Sequence, residues 1–390
     1  IYDGGEAEMK KFFVKILGNE KTQNIAIPLF SILLSLIVGM IVIGSLGKYP
    51  LTAYANLLQG SGLLPKPQYS AYQGMLTDFT SFLNMMTPML FAALAVAVAL
   101  KAGLFNIGVS GQMLAAGFVA TITVGYSSLA APVAKPLVLL IGIAAGMAVG
   151  GLIGFLKYKF NINEVVSSIM INYIVQYLTS FFINTRYIDE ISRQSRAVSD
   201  ESRLTLMKVP IGNLKVDIPL CIILAVLAAV VMKFLLDRTR LGFEIKAVGA
   251  SRNAARYAGI SVGKTMVLSM MISGALAGLA GVTYYMGYLQ SIQPKVLAST
   301  GFDAIAVALL GNSNPIGIIF SSFLITGVTK GSSYMSSASG IETEIGSVIV
   351  GLILLFSACG AFIRYEVKKW KSELEEKQEK KSDNAGKEVR

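Results

Sequence analysis

The chain has 390 residues, of which 54% are hydrophobic and only 15% are charged, and its mean hydropathy is +0.62. A soluble domain carries about 25% charged residues, so this composition excludes an ordinary soluble enzyme or binding domain. The net charge of +11 suits either nucleic acid or a membrane surface. Because the Lys and Arg residues lie beside the hydrophobic segments, we expect the lipid bilayer as a partner and no nucleic acid.

Long charge-free segments follow one another along the chain. A helix of about 20 apolar residues crosses a bilayer with its backbone polar groups paired internally. The segments are Thr22 to Gly47, Phe79 to Leu100, Ala102 to Ala134, Pro136 to Leu156, Val165 to Thr185, Ile218 to Met232, Thr265 to Pro294, Ala304 to Thr329 and Ile345 to Ile363. They predict an all-α multi-pass membrane protein with about ten transmembrane helices, two of them short or broken.

The ends of the chain are predicted to be polar and cytoplasmic. The motif Met9-Lys10-Lys11 resembles a natural start, so residues 1–8 are treated as a candidate non-native extension. We predict an N-terminal segment at 1–24, a transmembrane domain at 25–363 and a charged tail at 364–390. Because Lys and Arg favour the cytoplasmic side, counting passes predicts cytoplasmic termini, an external loop at 186–217 and a cytoplasmic loop at 237–263.

Two glycine stripes suggest that the chain contains two similar halves. Both are followed by an acidic residue that opens the next segment, and duplicated halves are common in transporters. The same spacing is also how membrane helices pack closely, so both interpretations stay open. The stripes are Gly146-x3-Gly150-x3-Gly154 before Glu164, and Gly274-x3-Gly278-x2-Gly281 before Asp303.

Few residues are suited to chemistry. The sequence has no His, which removes the usual general base and the commonest metal ligand. Residues 258–265, Ala-Gly-Ile-Ser-Val-Gly-Lys-Thr, approximate a phosphate-binding loop, but they follow a basic polar segment and no buried strand. We therefore disfavour a membrane-embedded ATP-using enzyme, and we expect no catalytic residue, no metal and no cofactor.

Glu164 and Asp303 are the acidic residues nearest the membrane interior. Such residues are candidates for coupling transport to an ion gradient, as in a secondary transporter. The spacings Asn161-x-x-Glu164 and Thr300-x-x-Asp303 also match a helix capping box, which we favour.

Three segments resemble the permease subunits of ABC importers, in the family that serves branched-chain amino acids, ribose and nucleosides. Residues 103–112 contain Phe-Asn-Ile-Gly and then Gly-Gln, as in the nucleoside branch, with Ser110 where an acidic residue is usual. Residues 253–259, Asn-Ala-Ala-x3-Gly, are similar to the Glu-Ala-Ala-x3-Gly coupling signature. Residues 308–317, Ala-Leu-Leu-Gly-Asn-Ser-Asn-Pro-Ile-Gly, are a further similarity.

The resemblance implies a permease subunit of the plasma membrane that forms a pathway for nucleosides and performs no chemistry itself. Its implied partners are cytoplasmic ABC ATPase subunits, a second permease that is related or identical, and an external solute-binding protein. The same machine importing a simple sugar or a branched-chain amino acid is the alternative. The residues implied to contact the ATPase are Glu244, Arg252, Asn253, Ala254, Ala255 and Gly259.

Polar and aromatic side chains within the spans are candidates for contacting a ribose hydroxyl or a base. Any of them could equally be satisfied by a neighbouring helix. The candidates are Asn84, Phe91, Asn106, Gln112, Asn172, Tyr173, Gln176 and Asn312.

Overall fold

The computed structural model describes residues 14, 23–360 and 362–373. The predictions for residues 1–8 and for the tail after Glu373 lie outside the described residues. The chain divides into two compact units, residues 52–346 and a smaller unit drawn from residues 1–51 and 347–390.

The smaller unit is formed by helices from both ends of the chain. Its elements are α1 (Gln23–Ser45), most of α13 (Glu344–Ala358) and α14 (Phe362–Glu373). The Ser35 hydroxyl donates to the Ser31 carbonyl at 2.6 Å and to the Leu352 carbonyl at 3.2 Å, which joins α1 to α13. Ile27 packs against Val367 in the unit's small apolar cluster.

The larger unit is a helical bundle whose longest connection, residues 188–220, lies between α6 and α7. In chain order they are α2 (Pro50–Gly60), α3 (Met75–Lys101), α4 (Val109–Ala120), α5 (Ala131–Phe160), α6 (Glu164–Phe182), α7 (Cys221–Arg238), α8 (Arg240–Ala250), α9 (Arg252–Tyr257), α10 (Val262–Thr283), α11 (Thr300–Leu310) and α12 (Pro315–Ser339). Single π-helical turns follow α4, α6 and α10, at Thr121–Gly125, Ile183–Tyr187 and Tyr284–Tyr288.

The number of spans is smaller than predicted. Among the described residues, six helices are long and apolar enough to cross a bilayer, or seven if α13 and α14 form one bent span. The prediction of about ten is therefore not confirmed. Two further apolar helices are short, Val109–Gly125 and Thr300–Leu310, which agrees with the expectation of shortened elements. α7 ends in Lys233, Asp237 and Arg238 and is not among the six.

The described residues are mostly helical, as predicted, and the exception to the all-α prediction is a hairpin that begins within the loop predicted at 186–217 and ends at Pro219. Strands β1 (Thr205–Ile211) and β2 (Leu214–Pro219) form an antiparallel hairpin. Ile211 pairs with Leu214 across a two-residue turn in which Gly212 has φ of 58°. A positive φ at this position is what a tight hairpin turn needs, and Gly meets it without steric cost.

The core of the larger unit is α3, which is buried at every residue from Met86 to Ala99. Gly74 precedes α3 and packs against Leu214 of β2, and the Lys101 carbonyl at the other end contacts Gly249 of α8. We call the end of the bundle beside β1 and β2 the hairpin end. We call the end that carries α8 and α9 the loop-helix end.

A close helix pair, α5 and α10, joins the two glycine stripes predicted from the sequence. A β-carbon added at Gly146 of α5 would lie 2.7 Å from the Gly278 Cα of α10, and one added at Gly150 would lie 2.8 Å from the Gly274 Cα. The stripes therefore allow the backbones of α5 and α10 to meet.

Candidate functional site

The first interrupted element is the segment between α3 and α4, and Asn106 fixes its path. The Asn106 side-chain nitrogen donates to Ser273 Oγ at 2.8 Å and to Gln112 Oε1 at 3.1 Å. The side-chain oxygen accepts from the Gly108 backbone N–H at 3.0 Å and from Gln112 Nε2 at 3.2 Å. Asn106 and Gln112 are fully buried. Their side chains supply hydrogen bonds at a break in the helix, where apolar surroundings would leave backbone polar groups unpaired.

Asn172 of α6 supports the same break from the other side. Its side-chain oxygen accepts from the Gly111 backbone N–H at 2.9 Å, and its nitrogen donates to the Ile107 carbonyl at 3.1 Å. A β-carbon at Gly111 would lie 2.8 Å from the Asn172 Cα, so the backbones of α4 and α6 are in close contact.

The second interrupted element lies between α10 and α11, and it returns to the start of α4. Residues 289–299 form a loop that begins at the hairpin end. The Ser110 hydroxyl donates to the Ala298 carbonyl at 3.0 Å, and a β-carbon at Gly301 would lie 2.6 Å from the Ser110 backbone nitrogen. The first turns of α4 and α11 are therefore neighbours within the bundle.

The other candidates occupy different environments. Asn84 is buried and accepts from the Thr205 hydroxyl at 2.9 Å, and Phe91 is fully buried in α3. Asn312 lies exposed in the turn before α12, with φ of 54°. Gln176 is partly exposed and donates to the Lys295 carbonyl, while Tyr173 is 53% exposed. The structure thus gathers Asn106, Gln112 and Asn172 around one break and leaves the rest apart.

One face of α6 carries a line of exposed aromatic rings, which we call the aromatic face. It consists of Tyr173, Tyr177 and Phe181, each about one helical turn from the next and more than half exposed. The opposite face of α6 is buried, and its polar members are Ser168, Asn172 and Thr179. Tyr side chains in membrane proteins concentrate at the bilayer surface. Tyr173 lies near the middle of the Glu164–Tyr187 span, so the aromatic face is suited to another protein chain or to a polar pathway.

Glu164 and Asp303, the acidic residues predicted to lie nearest the membrane interior, have different local partners. Glu164 forms an ion pair of 2.9 Å with Lys157, and α6 is capped by the Asn163 side chain, which accepts from the Val165 N–H. Ser299 is the N-cap of α11, without a side-chain cap, and its backbone carbonyl accepts from the Asp303 N–H at 2.9 Å. Neither arrangement is the capping box that the spacing predicts.

The loop-helix end presents two short helices joined at Ser251. The side chains of Thr239 and Ser251 cap them by accepting from the Gly242 and Ala254 N–H groups. The Arg252 guanidinium donates to the Gly103 carbonyl at 3.3 Å. This bond joins the predicted coupling segment to the first break.

The predicted ATPase contacts are mostly on the surface of this end. Arg252, Asn253, Ala254 and Gly259 are exposed, Ala255 is buried, and Glu244 pairs with Arg240 at 2.9 Å. A cavity of about 410 Å³ lies beside them. Its lining includes Phe243, which is 64% exposed, Lys264 and the backbone turn at Gly259.

Asp237 anchors α8 to α7. Its carboxylate lies 2.6 Å from the Lys233 ammonium and 3.3 Å from that of Lys246. The hydrogen bonds from these two lysines hold the pKa of Asp237 below its usual value. The phosphate-loop similarity at 258–265 has no structural support, because α9 precedes the segment where a strand is required.

Sequence reasoning missed Ser273 and Lys295. Ser273 donates to the Ala95 carbonyl and accepts from Asn106, so it ties α10 to α3 at the break. The Lys295 backbone contacts Gln176 and Ser180. Neither residue type signals such a role in sequence, because both contacts span more than 100 positions.

A bundle of membrane-length helices, two interrupted elements and a capped helical loop at one end together define a membrane permease subunit. The chain belongs to the family described as branched-chain amino acid transport system / permease component, which it matches over residues 79–358. It is an integral, multi-pass membrane protein.

Individual relatives extend the similarity over nearly the whole chain. It is 34% identical to the nucleoside ABC transporter permease protein NupB of Lactococcus lactis, over 91% of this chain and 96% of the relative. It is 33% identical to the guanosine ABC transporter permease protein NupP of Bacillus subtilis, over 90% and 98%. It is 29% identical to the glucose ABC transporter permease protein TsgB13 of Haloferax volcanii, over 87% and 89%.

Proposed function

We propose that this chain is the permease subunit of an ABC importer and forms the pathway for nucleosides. The observation that carries the proposal is the similarity to two permeases named for nucleosides or guanosine, each covering at least 90% of this chain. The chain contributes the pathway and no ATPase site of its own, and ATP hydrolysis belongs to a partner.

The loop-helix end is the proposed ATPase contact and faces the cytoplasm. Supporting this, α8 and α9 are short, capped, and expose Phe243 and Tyr257, which is 95% exposed. Arg252 and Gly249 connect them to Gly103. Closure of the ATPases would therefore move the first break as a rigid unit.

The hairpin end then faces outward and receives the solute-binding protein. A second permease, related or identical, would complete the pathway opposite the aromatic face of α6. Tyr173 and Gln176 are partly or mostly exposed and are the predicted residues best placed to contact solute. Asn106, Gln112 and Asn172 act on the pathway indirectly, because their hydrogen-bonding groups are already used to hold the break.

Uptake competition tests the substrate class. Cells that lack other nucleoside uptake and carry the complete transporter are given labelled guanosine, with unlabelled nucleosides, pentoses, glucose and leucine as competitors. We expect competition by nucleosides alone. Uptake that is inhibited by sugars or by leucine, and not by nucleosides, would overturn the substrate assignment.

A second arm tests the energy source. In vesicles, uptake should require ATP on the cytoplasmic side and persist with an ionophore. Uptake that proceeds without an ATPase subunit and collapses with an ionophore would identify an ion-coupled secondary transporter.

Glucose import is the second candidate, favoured by the 29% identity to TsgB13 over 87% of this chain. Glucose and the ribose of a nucleoside both present neighbouring hydroxyls, so related pathways could serve both. The competition panel separates them, because a glucose pathway would be inhibited by glucose and not by nucleosides.

A further inference from the structure

Lys295 is a cation that the loop between α10 and α11 carries back into the membrane-spanning part of the bundle. Its backbone N–H donates to Ser180 Oγ at 2.7 Å, and its carbonyl accepts from the Gln176 side-chain nitrogen. Both partners belong to α6, within the apolar span Glu164–Tyr187. With a helical rise of about 1.5 Å per residue, these contacts place the Lys295 backbone about 10–16 Å from the Tyr187 end of that span.

The Lys295 side chain has no counter-charge at this depth. It is exposed on the surface of this chain, and no carboxylate among the described residues forms an ion pair with it. Its four-carbon stem is shorter than the distance to the end of the span. Because an ionisable group in the membrane is costly in lipid and faces the bundle interior or a water-filled cavity, Lys295 is suited to a water-filled pathway.

The position of Lys295 is fixed on both sides. Three residues earlier in the loop, the Ile292 carbonyl accepts from the Ser195 N–H at 2.9 Å, and the Ile292 N–H donates to Ser195 Oγ at 2.8 Å. Both of these residues are buried. Lys295 itself has φ of 60°, a left-handed conformation that is unfavourable for a residue with a side chain. Such a conformation persists only where surrounding contacts hold it, as Ser180 and Gln176 do here.

The aromatic face of α6 lies beside the contacts to Lys295. Residues three positions apart are neighbours on a helix surface, so Tyr173 adjoins Gln176 and Tyr177 adjoins Ser180. The two tyrosines are 53% and 61% exposed. A donor cation beside flat rings matches a solute that presents a flat ring with acceptor atoms on its edge.

We propose that the Lys295 ammonium donates hydrogen bonds to acceptor atoms on the edge of a purine base, while Tyr173 and Tyr177 contact the face of the base. The inference rests on the proposed nucleoside pathway and names a residue that determines specificity within it. In guanine, O6 and N7 are neighbouring acceptors, and Lys donates to this pair in other recognition sites.

The first test compares solutes within one preparation, so that the amount of folded protein cancels. Uptake rates at limiting concentration are measured for guanosine, for 7-deazaguanosine, which lacks the N7 acceptor, and for 2-aminopurine riboside, which lacks O6. The complete transporter carries the unaltered chain, Lys295→Met or Lys295→Arg. The solute-binding protein is the same throughout, so its own preference cancels when each ratio is divided by that of the unaltered chain.

We expect Lys295→Met to lower guanosine uptake about tenfold, because a hydrogen bond from a charged donor is lost. Uptake of the analogue that lacks the contacted acceptor should change by no more than about twofold. Lys295→Arg keeps the charge and the donors, so its ratios should stay closer to those of the unaltered chain. If both ratios are unchanged in Lys295→Met, Lys295 does not contact the base and the inference is wrong. Absence of nucleoside uptake by the unaltered chain would instead defeat the proposed function.

Chemical labelling tests the location of Lys295 independently of transport. Cys221 is buried and Cys359 is exposed, so the variants are made with Cys359→Ser. In the complete transporter with its solute-binding protein, Lys295→Cys should react with a charged, membrane-impermeant thiol reagent, and saturating guanosine should slow the reaction. Leu33→Cys is the control, because Leu33 is 60% exposed within the apolar span Ala26–Ser45 and should stay unlabelled.

Two labelling results would overturn the inference. If Lys295→Cys is as unreactive as Leu33→Cys, position 295 does not face a water-filled pathway. If it reacts but guanosine does not slow the reaction, position 295 is in water without contacting the solute.

Discussion

Gly103 and Gly249 meet backbone to backbone, 3.1 Å separating the Gly249 Cα from the position that a Gly103 β-carbon would take. Gly103 also has φ of 66°, the left-handed conformation that Gly adopts without steric cost. The contact joins the end of α3 to α8, so residues 103–112 touch the helix that precedes the coupling-like residues 253–259.

Gly103→Ala should therefore uncouple the permease. The left-handed conformation costs an L-residue about 1–2 kcal/mol, and the added carbon also presses on Gly249. We expect uptake to fall further than in Gly212→Ala while the chain still reaches the membrane, because the added carbon would press on Gly249 and displace α8 from the end of α3. Uptake and ATP hydrolysis are measured together in vesicles.

Gly212→Ala is the matched control for this variant. Gly212 has φ of 58°, and a β-carbon there has no neighbour within 4 Å. Gly212→Ala therefore introduces the same kind of backbone strain as Gly103→Ala but no contact with another helix. Equal losses of uptake in both variants would show that strain alone, and not the α3–α8 contact, is responsible.

Asn172→Leu should destabilise the fold. It leaves the Gly111 N–H and the Ile107 carbonyl without their partner, and each unpaired buried group costs about 1–3 kcal/mol. We expect thermal unfolding of the purified chain in detergent to shift down by several degrees.

The neighbouring change Tyr173→Leu provides the contrast. Tyr173 is 53% exposed, so its loss should leave the unfolding temperature nearly unchanged and lower nucleoside uptake. Should Asn172→Leu keep full stability and change solute selectivity, Asn172 would be a solute contact and not a support for the break.

Gly146→Leu should separate α5 from α10. The new side chain would overlap the Gly274 carbonyl and the Gly278 backbone, and overpacking of this kind costs about 1–3 kcal/mol or more. We expect faster proteolysis and loss of uptake. Gly351→Leu is the control, because a β-carbon at Gly351 has no neighbour within 4 Å; its proteolysis rate should match that of the unaltered chain.

The glycine stripes illustrate which structural features could be predicted from the sequence and which could not. Close packing was one of two interpretations of their spacing. In the structure, Gly146 and Gly150 pack against Gly274 and Gly278, whereas Gly281 packs against Met113 of α4. Small-residue spacing is a local property and is visible in one helix at a time. Which stripe faces which is a long-range property, and the sequence carried no information on it.

The structure differs from the sequence predictions in two further features, the hairpin and the role of the polar side chains proposed to contact solute. β2 alternates apolar and charged residues, Leu214-Lys215-Val216-Asp217-Ile218, and Gly212-Asn213 is a two-residue hairpin turn signal, so the sequence contained a strand pattern that the all-α prediction missed. Asn106, Gln112 and Asn172 were predicted because polar side chains within the spans suit a ribose hydroxyl or a base edge. An amide that binds solute and one that satisfies a neighbouring backbone have the same sequence signature, and only their hydrogen-bond partners separate them.

The Lys157–Glu164 ion pair gives a direct test of whether Glu164 carries ions or holds structure. The pair spans the connection between α5 and α6 at 2.9 Å, and both side chains are only 14% exposed. Glu164→Gln leaves Lys157 without its partner, which should cost about 2 kcal/mol of stability. Nucleoside uptake per folded molecule should remain, because an importer driven by ATP needs no coupling carboxylate.

Exchanging the two charged residues provides a second test of the role of Glu164. The double variant Lys157→Glu with Glu164→Lys restores opposite charges across the same connection, so it should recover most of the stability lost in either single variant. Unfolding temperature and uptake are measured for all four proteins. An ion-coupling carboxylate cannot be moved in this way, so stability recovered without uptake would assign Glu164 to the transport step. Recovery of both would confirm that the pair serves the fold.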